Sequence, residues 1–144
     1  MLVIGYGNPL RGDDAMGLIA AERLGGLAVH QLTPELSETI AQADAVLFLD
    51  ADATLLPGEI SVKECGADLQ ACAGSPDPAR PLDHFATAEA LLDLARTVYG
   101  AAPKAWLIGM GGESFDLQEG LSAAAARAVD RAVEAAARLT TNRP

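Results

Sequence analysis

Residues 1–17 read MLVIGYGNPLRGDDAMG, and this stretch decides the fold. The apolar run Leu2–Ile4 reads as a buried strand that ends at Gly5. From about Asp14 to Leu24, Met16, Ile19, Ala20 and Leu24 recur at helical spacing, until Gly25-Gly26 stop the pattern. A strand, a glycine-rich turn and a helix begin a β-α-β unit, so the rest of the chain is read for strands that join the first one in parallel.

Leu27–Leu32 predicts a second short strand. Thr33-Pro34-Glu35 predicts a helix start, with Thr33 as N-cap, proline in the first helical position and an acid in the first turn; that helix runs to about Ala43. AVLFL, residues 45–49, is a third strand, buried on both faces. A turn at Pro57-Gly58 leads into Glu59–Glu64. There Ile60 and Val62 alternate with Ser61 and Lys63, as on an edge strand with one wet face. A connection this short makes the strand antiparallel or a separate ribbon, because parallel neighbours need longer crossovers. Gly66–Pro81 is a loop without periodicity. Phe85, Ala88, Leu91, Leu92, Ala95, Val98 and Tyr99 mark an amphipathic helix with Asp83 as its cap. Lys104–Met110 is a further strand. Leu121-Ser122 opens a last helix, with Ala125, Val129, Val133 and Ala136 on its buried stripe.

The order β-α-β-α-β-β-α-β-α predicts a single α/β domain over residues 1–144. It is a three-layer α/β/α sandwich on a mostly parallel five-stranded sheet with one strand antiparallel. Right-handed crossovers make strands 2, 1 and 3 neighbours if the winding reverses after strand 1, and ligands collect beyond the strands' carboxyl ends at such a reversal. The loop after strand 1 therefore faces the end of strand 3, which brings Asp13 and Asp14 towards Asp50 and Asp52.

Half of the 144 residues are hydrophobic, and no apolar run approaches the ~18 residues of a membrane span. With no basic, apolar leader at its start, the chain is expected to be cytoplasmic. A formal net charge of −10 argues against nucleic acid and anionic membrane as partners. Cys65 and Cys72 are spaced unlike any C-x-x-C zinc or redox pair and read as buried or loop thiols.

Three readings compete for the acidic turn. Nucleotide binding fails on three counts: the third glycine of a dinucleotide fingerprint would stand at Leu10, no acid closes strand 2, and no P-loop lysine is present. Two acids at a helix entrance would also repel a phosphate. Helix capping explains one of Asp13 and Asp14 but not both. A metal or acid–base site explains more. Asp50 closes a buried strand, where a carboxylate needs a cation or donors. His84 stands at the entrance of the amphipathic helix, so three segments deliver Asp14, Asp50 and His84 to one rim. Two carboxylates and an imidazole leave a coordination position open. His30, inside the predicted second strand, has no such partner set.

GYGNPLRGDDAMG, FLDADATLLPGEI, LDHFATAEALLDLA and LIGMGGESFDLQEGLS resemble, in order, successive blocks of the [NiFe]-hydrogenase maturation endopeptidases. The resemblance covers the chain apart from Gly66–Pro81. It implies that Asp14, Asp50 and His84 bind metal and carry the catalysis. The implied substrate is a hydrogenase large-subunit precursor that loses a C-terminal extension once nickel is in place. Nickel then arrives with the substrate, and zinc or cadmium can take its position in vitro. Asn8 shapes the turn or orients the peptide, and Arg11 pairs with Asp13 or contacts substrate, so Asn8, Arg11 and Asp13 are the candidate substrate-binding residues. The expected protein is a monomeric, metal-dependent endopeptidase. Three departures keep a non-proteolytic metal-binding maturation factor or scaffold as the alternative: Asp14 where Glu is common, Ala15 where Gly is usual, and Gly109-Met110-Gly111-Gly112 in place of Gly-x-x-Pro.

Overall fold

The computed structural model describes residues 1–65, 88–100, 102–117 and 119–141. Five strands, β1 (Leu2–Tyr6), β2 (Leu27–Val29), β3 (Ala45–Ala51), β4 (Ile60–Cys65) and β5 (Lys104–Met110), form one sheet in the order β2-β1-β3-β5-β4. The first four of these spatial neighbours run parallel, and β4 lies antiparallel against β5. The α/β architecture and the adjacency of β2, β1 and β3 are as the sequence predicts. β4 is antiparallel and at the edge as expected, but β5 stands between it and β3, so the short Pro57-Gly58 turn does not make a hairpin.

The helices are α1 (Met16–Arg23), α2 (Leu36–Ala41), α3 (Ala88–Tyr99) and α4 (Ala123–Thr141). Side chains alternate across each strand, and both faces of the central strands are apolar, so the sheet needs a helical layer on each side. Leu47, Leu49, Ile108 and Met110 pack with Met16, Ala20, Val129 and Ala132 under α1 and α4. Ile4, Val46, Phe48 and Ala105 pack with Ile40, Leu91, Leu92 and Ala95 under α2 and α3. All of these are essentially inaccessible to solvent.

Several boundaries move. β2 ends at Val29, and Leu27 is 41% exposed because β2 is an edge strand. α2 starts at Leu36 rather than at Pro34, after a turn in which the Leu36 and Ser37 N–H groups bond the carbonyls of Thr33 and Pro34. Val62, Val98 and Tyr99, placed on buried faces by periodicity, are exposed. The last helix buries Ala125, Val129 and Ala136 as expected, with Val133 half-buried. Cys65 is buried. Gly66–Pro81, Cys72, Asp83, His84 and Phe85 lie outside the described residues.

Close backbone contact sets where the first turn sits. A Cβ on Gly17 would lie 2.5 Å from the Leu49 carbonyl oxygen and 2.6 Å from that of Tyr6, and one on Gly5 would lie 1.9 Å from the Gly17 carbonyl oxygen. Helix α1 therefore rides directly on the ends of β1 and β3, which puts the turn that precedes it over the carboxyl edge of the sheet. Such approach is open only to residues without a side chain.

Candidate active site at the carboxyl edge of β1 and β3

The loop after β1 is folded on itself. The Asn8 side-chain oxygen accepts from Leu10 N–H at 2.9 Å, while Asn8 N–H donates to the Asp14 carboxylate at 2.7 Å. The Arg11 carbonyl accepts from Asp14 N–H at 3.1 Å, and Gly12–Ala15 forms a 3-10 turn leading into α1. Asn8 thus acts as the turn former through side chain and backbone together. Asp14 is half-buried, with one oxygen held by that turn.

Asp13 points the other way. It is fully buried, and its oxygens accept from the N–H groups of Glu113 (2.7 Å), Ser114 (3.0 Å) and Ser122 (2.8 Å) and from the Ser122 hydroxyl (2.7 Å). Burial pushes its carboxyl up, but the Ser122, Glu113 and Ser114 hydrogen bonds outweigh this and hold it below the ordinary value. Neither acid caps its own helix. Asp13 instead ties down the start of α4, where Ser122 accepts from Ala125 N–H at 3.1 Å as an N-cap. The expectation that Asp13 faces substrate is corrected by this burial, and Arg11 is not among its hydrogen-bond partners. The glycines of residues 109–112 serve the same junction: a Cβ on Gly111 would lie 2.0 Å from the Leu56 carbonyl oxygen, and one on Gly112 2.6 Å from the Asp13 Cβ.

Asp50 lies inside β3, one residue before its end, on the sheet face of Val46 and Phe48. Its carboxyl is raised to about 7. Burial is the largest cause and the Asp14 charge the next, with Asp52 adding less; hydrogen bonds from the Ala51 backbone and the Tyr6 side chain oppose the rise without cancelling it. Asp52 itself turns to Thr54, accepting from its N–H at 2.9 Å and its hydroxyl at 2.5 Å.

The turn and strand arrangement therefore brings Asp14 and Asp50 close enough to repel one another. His84 lies outside the described residues, and among those described no group of three His, Cys, Asp or Glu side chains is disposed to hold a metal ion. On the β2 side, Asn8, Arg11, Asp14, His30 and Gln31 line a cavity of about 390 Å³. The sequence pattern puts His30 inside a strand. It follows the end of β2 instead, is exposed, and opens onto the same cavity as Asp14. Tyr6 and His30 are the residues that sequence reasoning misses. Both stand where β1 and β2 end, the kind of location that singles out Asp50.

No protein-family model and no curated protein matches the chain. Solved structures do. The [NiFe] hydrogenase maturation protease HybD from Thermococcus kodakarensis superposes with a TM-score of 0.70 at 22% identity, covering 96% of this chain and 97% of that one. The hydrogenase maturating endopeptidase HybD from E. coli gives a TM-score of 0.68 at 23% identity, covering 96% and 92%. The [NiFe] hydrogenase maturation protease HycI from Thermococcus kodakarensis KOD1 gives 0.68 at 25% identity, covering 98% and 92%. The chain has the hydrogenase maturation protease fold. In this fold the turn after β1 and the last residues of β3 share one edge of the sheet, and here that edge carries Asp14 and Asp50.

Proposed function

We propose that the chain is an endopeptidase that removes the C-terminal extension of a [NiFe]-hydrogenase large-subunit precursor after nickel insertion. One observation carries this reading. Asp50, half-buried at the end of β3 next to a second carboxylate, is held near neutrality by burial and by Asp14, and such a crowded acidic pair favours a cation brought to it. Likeness to maturation proteases over nearly the whole chain supports the same assignment.

Asp14 and Asp50 fit a borderline divalent ion, supplying carboxylate oxygens from a turn and a rigid strand end. The resemblance adds His84 as the third donor, on the chain segment before α3. Nickel is part of the substrate in this reading, so the three side chains recognise a precursor already loaded with metal and leave a nickel-free one alone. Zinc or cadmium would occupy the same donors in vitro. Nickel at these donors would supply charge that polarises the scissile carbonyl or the attacking water. The water oxygen bonds to the carbonyl carbon, one of its protons passes to a carboxylate, and that proton is then delivered to the leaving amine nitrogen as the C–N bond breaks. The Asp50 carboxyl, raised to about 7 in the metal-free protein, would be held ionised by a bound cation, so either Asp14 or Asp50 takes that proton as the carboxylate base. The protein acts as a monomer in the cytoplasm.

The test is incubation of the protein with nickel-loaded and nickel-free precursor, followed by intact-mass measurement. Shortening of the loaded precursor alone is the expected result, and Asp14→Ala abolishes it. A precursor that binds but keeps its full length would overturn the protease reading in favour of a non-proteolytic metal-binding maturation factor.

A further inference from the structure

The cavity beside Asp14 has a composition that the peptidase reading does not use. It is walled by the turn after β1, through Asn8, Arg11 and Asp14, and by the two residues that follow β2, His30 and Gln31. Arg11, His30 and Gln31 are exposed, and Asn8 and Asp14 are half-buried. Its volume of about 390 Å³ lies within the range of sites that enclose a ligand or a few residues of a peptide. Among the described lining residues the donors outnumber the acceptors. Arg11 has a guanidinium with no acceptor, Gln31 and Asn8 carry amides, and the Asn8 oxygen is already spent on Leu10 N–H. Among the described residues Asp14 is the only carboxylate in the lining, with one oxygen held by Asn8 N–H. In a chain with twice as many acidic as basic residues, a described lining in which one arginine matches one acid is locally free of the acidic excess.

Resting on the peptidase reading, we infer that this cavity receives a carboxylate-bearing peptide segment of the substrate next to the bond that is cut, with Arg11, His30 and Gln31 as its donors. A basic segment would face Arg11 and compete with the incoming cation for Asp14. An acidic one meets the arginine and leaves Asp14 to that cation. His30 and Gln31 are binding residues on this account, away from the reacting atoms.

The experiment compares the parent, His30→Ala and Gln31→Ala for binding of nickel-loaded precursor, by anisotropy of a labelled precursor, and for cleavage kinetics. Both positions are exposed, so the variants are expected to fold, and an unchanged unfolding midpoint checks this. Loss of one hydrogen bond at each position should raise Kd and KM about 3- to 10-fold while kcat stays within about 2-fold. A precursor with the acidic residues flanking the cut changed to amides should bind the parent more weakly, with His30→Ala adding no further loss. Parental Kd and KM in both variants would overturn the subsite while the peptidase reading stands. If the parent binds without cutting and the variants bind more weakly, the subsite stands and the peptidase reading falls. If the parent neither binds nor cuts, both fall. Equal binding of acidic and amide precursors, or tighter binding by the variants, overturns the carboxylate assignment.

Discussion

Asp13 and Asp14 are adjacent in sequence but belong to two differently built regions. Asp13 belongs to the junction between the β1 turn, the loop after β5 and the start of α4, where four donors surround one carboxylate. Asp14 belongs, with Asp50, to the open edge of the sheet, where the charge of Asp14 raises the Asp50 carboxyl and each acid has fewer donors than Asp13. The first region pulls its acid below the ordinary carboxylate value, and the second pushes Asp50 up to about 7. Burial acts in the same direction on both, so the difference lies in the number of donors and in the Asp14 charge beside Asp50. A buried charge whose lone pairs are all met holds a structure together. One left short of donors is a site awaiting a proton, a cation or a substrate.

Removing Asp13 should break the first region most severely. Asp13→Ala strips the partner from three backbone N–H groups and a hydroxyl at a buried junction, and an unsatisfied buried donor costs about 1–3 kcal/mol. With partial rescue by water, a total loss of about 3–5 kcal/mol is expected, read as a lower midpoint in urea unfolding at pH 7. Because the Asp13 carboxyl is lowered by folding, its contribution is present above about pH 4 and is lost as pH falls through the folded value. An Asp13→Ala protein as stable as the parent would erase the contrast between the two regions.

Asp50 should respond with the opposite sign. Its carboxyl ionises at 3.8 in the unfolded chain and at about 7 in the fold, so the fold binds the extra proton. That contribution is complete below about pH 4 and lost as pH rises through about 7. Asp50→Asn removes the titration, so with a chelator present the variant should gain on the parent across this window. About 4 kcal/mol is the upper limit at pH 8 from the linkage relation, and about half of that is expected for a group that is not fully enclosed. The same variant should lose cleavage of loaded precursor by about 100-fold or more, the scale of a missing proton-transfer group. Stability gained together with activity lost marks a strained functional carboxylate. An Asp50→Asn protein less stable than the parent at pH 8 would show that Asp50 is as well supplied with donors as Asp13.

Much of this architecture is legible along the chain. The central strands are continuous apolar runs because both faces are covered, and glycines at close backbone contacts punctuate them, so the adjacency of β2, β1 and β3 follows, but not the place of β5 between β3 and β4. The same rule points to Asp14 and Asp50. The partners of Asp13 stand 100 to 109 residues away, and no local pattern announces a carboxylate that caps so distant a helix. The apolar pattern makes β2 three residues too long because the buried Leu32 prolongs it, although the strand itself ends at Val29. That excess length hides His30, which stands with Gln31 just past the end of β2. Val98 and Tyr99 fit the helical period, but they fall in the last turn of α3 and are exposed.

The smallest effect tests the coupling inside the second region. Burial is the larger cause of the raised Asp50 carboxyl and the Asp14 charge the next. Asp14→Asn should therefore lower the Asp50 value by a minority of the total shift, on the order of one unit. Asparagine keeps an oxygen for Asn8 N–H, so the turn stays closed and the change isolates charge from shape. The measurement is the titration midpoint of the Asp50 carboxyl carbon by NMR, in parent and variant, at low salt and with chelator. A midpoint that stays at the parental value would mean that Asp14 and Asp50 do not sense each other. The open edge would then hold two independent acids, and its difference from the Asp13 junction would come from the supply of donors alone.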